Sequence, residues 1–88
     1  MCYCYVIKCC DGSYYIGSTR DISRRLHSHK TGKVKYTKNK RPIDLIFLKE
    51  FEDYNQAFHF EMRVKSWKKR KSIERMLDKP DNIKDIVK

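Results

Sequence analysis

The stretch CYVIKCCDGSYYIGSTRDISRRLHSH, residues 4–29, decides the fold by the way it turns at Asp11-Gly12. Residues 3–9 (YCYVIKC) and 14–18 (YYIGS) are rich in aromatic and β-branched side chains and read as two strands. A two-residue turn would put Tyr5 and Tyr15 on opposite faces. A three-residue loop, Cys10-Asp11-Gly12 with Gly12 left-handed, instead pairs Cys9 with Ser13, Ile7 with Tyr15 and Tyr5 with Gly17. The tyrosines then share a face as diagonal neighbours, roughly 7–8 Å apart. The three-residue loop is the expectation. Gly17, with no side chain opposite Tyr5, would leave a groove in which a phosphate backbone can approach.

Outward from the hairpin, Asp21 is placed to cap a helix that runs to about Lys30 and is stopped by Gly32. Residues 33–42 (KVKYTKNKRP) form a basic, weakly patterned connection, and residues 43–51 (IDLIFLKEF) read as a third strand with a largely buried middle. Asp53 or Asn55 can cap a second helix in which Ala57, Phe60, Val64 and Trp67 recur at helical spacing and face the sheet. A short third helix is expected over residues 69–77, with Ile73, Met76 and Leu77 inward and Pro80 ending it. The fold class is α/β of the α+β kind: a small three-stranded antiparallel sheet flanked by helices, in the order β-β-α-β-α-α. One domain covers residues 1–79, and residues 80–88 are a tail.

Lys plus Arg number 21 against 11 Asp plus Glu in 88 residues, a formal charge of +10. So large an excess on so small a surface points to a polyanionic partner. Nucleic acid fits better than a membrane, because no apolar run approaches the ~20 residues of a spanning helix. The N-terminus lacks the basic start and apolar core of a secretory signal, so a cytoplasmic location with reduced cysteines is expected. Cys2, Cys4, Cys9 and Cys10 contain no C-x-x-C pair and read as small apolar fillers rather than zinc ligands.

On the first helix, Ile22, Arg25, Leu26 and His29 fall at i, i+3, i+4 and i+7, so Arg25 and His29 share the stripe facing the sheet while Arg24 and His27 point elsewhere. A guanidinium beside two phenols can contact a phosphate and stabilise developing charge, although a structural Arg is the blander reading. On the second helix Glu61 lies among Ala57, Phe60 and Val64, where a carboxylate needs a partner. Lys65 can supply one as an i,i+4 pair; alternatively Glu61 is a Mg²⁺ ligand, since Mg²⁺ prefers one or two carboxylates completed by water and phosphate. The block RVKSWKKRK, residues 63–71, adds Arg63, Lys65, Lys68, Lys69, Arg70 and Lys71 around Trp67. With Lys8, these cations are candidates for phosphate contacts.

Taken together these residues resemble the GIY-YIG nucleases, in particular the short stand-alone bacterial members of the URI type, over residues 2–77. Tyr3-Cys4-Tyr5 stands where the family has Gly-Ile-Tyr, and Tyr15-Ile16-Gly17 matches Tyr-Ile-Gly outright. Arg25 and His29 in RDISRRLHSH, and Glu61 in FEMRVKSW, resemble the family's arginine, histidine and metal-binding glutamate. The resemblance implies phosphodiester hydrolysis with one divalent ion, Mg²⁺ or Mn²⁺. Tyr15 would activate water, Tyr5 would assist by hydrogen bonding, Arg25 would stabilise the pentacoordinate phosphate, His29 would orient or shuttle a proton and Glu61 would hold the metal. A tyrosine base needs its pKa of ~10 lowered, for which Arg25 and Lys8 are the candidate cations. The late asparagine of larger members has no matching position, Asn82 lying in the tail.

The resulting expectation is a Mg²⁺-dependent DNA endonuclease, acting as a monomer on branched, damaged or single-stranded DNA. The alternatives are a catalytically weak DNA- or RNA-binding module, and a nuclease subunit that needs a protein partner, for which Tyr36 or Phe58 would be contact points.

Overall fold

The turn is the three-residue one. In the computed structural model, which describes residues 1–67, 70–78 and 82–83, Cys9 N–H donates to the Ser13 carbonyl at 2.8 Å and Gly12 N–H to the Cys9 carbonyl at 2.9 Å. Gly12 has φ +87°, the left-handed conformation that a glycine adopts without strain. The hairpin joins β1 (Cys2–Lys8) to β2 (Tyr14–Thr19), with Tyr5 opposite Gly17 and Ile7 opposite Tyr15. The tyrosines share one face, their ring centroids 6.3 Å apart.

β1 is the middle strand of an antiparallel sheet ordered β2-β1-β3, where β3 is Asp44–Phe51. A bulge shifts the register of β3 between the partners of Val6 and Ile7. It lets successive residues of the apolar run serve both faces: Leu45 and Leu48 pack on one side, Phe47 on the other.

The first face is covered by α1 (Ile22–Lys30), capped by Asp21, whose carboxylate accepts from Arg24 N–H at 3.0 Å. Ile22 and Leu26 pack there with Tyr5, Ile7, Cys9, Leu45 and Leu48. The second face is covered by α2 (Tyr54–Ser66), capped by Asp53, and α3 (Arg70–Leu77), through Val64, Ile73 and Met76 against Cys4, Val6, Ile16 and Phe47. The fold thus has the expected order β-β-α-β-α-α. Cys2, Cys4 and Cys9 are buried and Cys10 is exposed, all as free thiols. Burial pushes the Cys4 thiol up to about 12, so it packs as a neutral apolar filler.

Lys68, Lys69, Pro80 and all of the tail except Asn82 and Ile83 lie outside the described residues. Asn82 docks on β3: its side-chain oxygen accepts from Leu48 N–H at 3.1 Å, and its amide donates to the carbonyls of Ile46 (3.1 Å) and Leu77 (2.9 Å). Ile83 N–H adds a bond to the Leu48 carbonyl at 2.8 Å. Replacing Asn82 by Ala removes all three side-chain bonds and is expected to cost about 1–3 kcal/mol in urea unfolding. A change within about 0.5 kcal/mol, the range of an ordinary surface substitution, would show that these bonds do not hold α3 and the segment after it to β3.

Candidate active site

Backbone alternation aims Tyr5 and Tyr15 at α1, and the helical period aims Arg25 and His29 back at them. Arg25 Nε donates to Tyr5 Oη at 3.1 Å. His29 Nε2 lies 3.2 Å from the same oxygen, and its Nδ1 lies 2.8 Å from Thr37 Oγ1. Tyr5, His29 and Thr37 are all fully or almost fully buried. The guanidinium can only donate, so the Tyr5 oxygen accepts from it, and the buried phenol proton needs an acceptor of its own, which His29 Nε2 supplies. Nδ1 then carries the imidazole proton and donates it to Thr37.

Burial pushes the Tyr5 phenol up to about 12, outweighing the opposing hydrogen bond and charge of Arg25. At Tyr5, which is expected to assist by hydrogen bonding rather than to act as the base, desolvation of the phenolate outweighs the neighbouring cation. Lys8 does not help: it is an exposed residue at the end of β1, paired with Tyr14, and alternation turns it to the face opposite Tyr5. The hydrogen bond to Tyr5 raises the Arg25 pKa against partial burial, with a smaller contribution in the same sense from Tyr15. His29 is pushed down to about 4 by burial and then by the charge of Arg25, so it is neutral at neutral pH.

Gly17 has a different role from the one its spacing suggested. A Cβ there would meet Tyr5 Oη at 2.5 Å and Cζ at 2.7 Å, so the space above Gly17 is filled by the Tyr5 phenol and is not an open groove for a phosphate. Tyr15 lies on the edge strand, its ring centroid 4.9 Å from that of His29, in an edge-to-face arrangement, and 5.3 Å from that of Tyr36. Tyr36 and Thr37 belong to the connection read from sequence as a basic link. Their part in the site was missed because the segment has no periodic pattern. The one available signal was KYT, an aromatic and a hydroxyl among lysines.

Glu61 approaches β2 from the other face. It is 8% exposed; Ser18 Oγ donates to its Oε1 at 2.6 Å and Lys65 Nζ pairs with its Oε2 at 2.6 Å. Ser18 directly follows Gly17, so the carboxylate and the phenol network flank the same edge strand. The Glu61 charge in turn contributes to raising the Tyr5 pKa. A cavity of about 290 Å³ lined by Tyr14, Tyr15, Ile16, Tyr36 and Lys65 spans that edge. A second, of about 210 Å³, is lined by Thr19, Asp21, Arg24, Arg25 and Ser28, so Arg24 joins Arg25 at the site although the helical wheel turns it away from the sheet.

Of the basic block, Arg63 and Lys65 lie on different sides of α2. Lys65 is bound to Glu61, while Arg63, 200° round the helix, lines a separate cavity with Lys49, Phe51 and Phe60. The helix also ends at Ser66, and Lys71 is exposed on α3.

A family model described as the GIY-YIG catalytic domain matches residues 1–74. The chain belongs to the GIY-YIG family. It is 43% identical over 70 residues to a UPF0213 protein of Bacillus pumilus, covering 78% of this chain and 71% of that one. It is 38% identical over 84 residues to the UPF0213 protein YazA of Bacillus subtilis, covering 94% and 84%. A UPF0213 protein of Bacillus halodurans, solved by NMR in solution, superimposes with a TM-score of 0.59 at 34% identity, covering 92% and 87%. The GIY-YIG domain supports a nuclease-like role that entails nucleic-acid binding, and GIY-YIG nucleases generally use divalent metals. In this GIY-YIG chain no group of three or more His, Cys, Asp or Glu able to hold a metal occurs among the described residues. The donors at hand are oxygens only, Glu61 and Ser18, which suit a hard divalent ion completed by water and phosphate. No helix among the described residues is long and apolar enough to cross a membrane.

The buried imidazole gives the stability a pH signature. Unfolded, His29 titrates near 6.5; folded, near about 4. Between those values the unfolded chain binds more protons, so stability is intact above 6.5 and falls as the pH drops toward 4. His29 accounts for up to about 3 kcal/mol of that loss. The difference between wild type and His29→Gln in urea midpoints across this window checks it. Parallel pH profiles for the two proteins would refute the assignment.

Proposed function

We propose that this protein is a divalent-metal-dependent endonuclease that hydrolyses phosphodiester bonds in DNA, leaving a 5′-phosphate and a 3′-hydroxyl. The observation that carries the reading is the buried Arg25–Tyr5–His29–Thr37 network beside Tyr15, with Glu61 bonded to the same edge strand.

Tyr15, on the open edge, takes the proton of the attacking water. Arg25, fully charged, stabilises the extra negative charge of the pentacoordinate phosphate. Tyr5 stays protonated and fixes the guanidinium, and His29 acts as the positioning residue that holds Tyr5, its low pKa arguing against a proton shuttle. Glu61, with Ser18, is the ligand for Mg²⁺ or Mn²⁺, and such an ion supplies charge stabilisation at the leaving oxygen when bound. Lys8, Arg63, Lys65, Lys68, Lys69, Arg70 and Lys71 contribute phosphate contacts. Gly17 serves by admitting the Tyr5 phenol.

Labelled duplex, single-stranded and branched DNA, incubated at low salt with Mg²⁺ or chelator, tests this. Mg²⁺-dependent nicking is expected from wild type, reduced about 10²–10⁴-fold in both Glu61→Ala and Tyr15→Phe. Cleavage that survives either substitution would remove that residue from the mechanism.

A second reading, a binding module of feeble activity, is favoured by the Glu61–Lys65 pair, which neutralises the carboxylate within the protein itself. It predicts that DNA is held by all three proteins and cut by none. On either reading, if about six cations each neutralise a phosphate, affinity falls about a thousandfold between roughly 50 and 200 mM salt. A shallow salt dependence measured by anisotropy would argue against backbone tracking.

A further inference from the structure

α2 exposes Tyr54, Phe58 and Met62, at i, i+4 and i+8, to 38%, 42% and 48%. The Tyr54 and Phe58 rings stack with centroids 6.3 Å apart and planes 18° from parallel. The guanidinium of Arg20 lies 5.6 Å from the Tyr54 centroid. None of these residues enters the core or the network around Tyr5. Their place is what gives them a use. Residues 54, 58, 61 and 65 lie on one stripe of α2, so the ring pair continues the row that holds Glu61 and Lys65, and Arg20 follows Ser18 by two residues. Phe58 stands roughly 4.5 Å from Glu61 along the helix axis and Tyr54 roughly 10 Å, the spacing of one or two nucleotides of an extended strand.

We propose that Tyr54 and Phe58, with Arg20, form a stacking platform for one or two unpaired bases next to the phosphate at Glu61. The substrate class is therefore nucleic acid with an unstacked strand: a single strand, or the frayed arm of a branch. This deepens the nuclease reading and rests on it for the place of the scissile phosphate. Duplex DNA cannot use the platform, because its base faces are already covered by neighbouring bases. Two points favour nucleic acid over a protein or a second copy of the chain. The guanidinium of Arg20 stands against the Tyr54 ring, on a chain of formal charge +10. The two rings, each about two-fifths exposed, offer on the order of 150 Å², against ~800 Å² per partner in a stable protein interface.

The test is fluorescence anisotropy in chelator, where no hydrolysis intervenes, with a labelled oligothymidylate and a blunt duplex as probes. Phe58→Ala and Tyr54→Ala are each expected to weaken single-strand binding by about tenfold, as loss of a stacked base requires, and duplex binding by less than about twofold. Phe58→Trp, which keeps a stacking surface, is expected to retain single-strand affinity. It also guards against an alanine variant that fails to fold. A 2-aminopurine reporter in the strand should change fluorescence on binding wild type and not Phe58→Ala. Equal losses on both probes, or none on either, would overturn the platform. So would light scattering that shows a wild-type dimer split by Phe58→Ala, which would make the stripe a self-association face. Failure of the nuclease reading is separable: it would leave this single-strand selectivity intact and show no cleavage when Mg²⁺ is restored.

Discussion

The arrangement depends on burying one phenol. A hydroxyl withdrawn from water is costly unless it is hydrogen-bonded, and Tyr5 sits in the middle strand with its hydroxyl over Gly17, where any larger side chain would collide with it. Arg25 and His29 meet that need, which fixes the rotation of α1 about its axis. His29, itself fully buried, then needs a partner at its second nitrogen, and Thr37 supplies it. The connection between α1 and β3 is drawn over the hairpin to deliver that threonine, and is held there by Cys10 N–H to the Lys40 carbonyl at 2.9 Å. Tyr36 follows, packed on Tyr15 with Lys40 4.0 Å above its ring. Hairpin, helix and connection thus answer to a single oxygen.

The two edges of the sheet are treated differently. On β3 the outward amide and carbonyl of Leu48 are taken up by Asn82 and Ile83, which act as a short cover for an edge that would otherwise invite pairing. Over β2, Tyr15 and Tyr36 come from one side and Lys65 from the other, around a shallow cavity. An antiparallel strand presents alternate residues to opposite faces, so only at an open edge can groups from both faces reach one ligand. That is why Glu61 can belong to the same site as Tyr15 although α1 and α2 are separated by the sheet.

Much of this was legible in the sequence wherever a period or a turn residue governed it. Gly12 fixed the loop length and hence the shared face of Tyr5 and Tyr15, and the 3.6-residue spacing of Ile22, Arg25, Leu26 and His29 gave the inward stripe of α1. The β3 bulge could not be read, because LIFL is apolar at every position and has no alternation to break. Thr37 and Asn82 could not be read either. Their importance comes from partners 8 and 34 residues away, His29 and Leu48, and neither stands in a repeating pattern. Gly17 was found for a reason that proved incomplete: the register gave its place opposite Tyr5, but only coordinates could show that the phenol leans across it. Within the basic block, Arg63 and Lys65 point to different sides of α2, because neighbouring charges along a chain are spread round a helix that turns 100° per residue.

The charge on either side of β2 explains how the phenols divide the work. Burial keeps Tyr5 protonated, and the Arg25 charge beside it is too small an influence to reverse that. Tyr5 is therefore unsuited to accept a proton at neutral pH and suited to hold Arg25 in place, which leaves the proposed base role to the half-buried Tyr15 on the edge. Glu61 and Lys65 neutralise one another on the far face, while on the near face the Tyr5 hydroxyl holds the Arg25 guanidinium in place. On the proposed reading, a phosphate arriving at the edge would meet a fixed guanidinium on one side and, on the other, a lysine that could leave its carboxylate for the phosphate. Release of Glu61 by that exchange would turn a charge-neutral pair into a phosphate contact and a free oxygen ligand at once. On the same reading, binding of the polyanion would in this way free the carboxylate for a divalent ion.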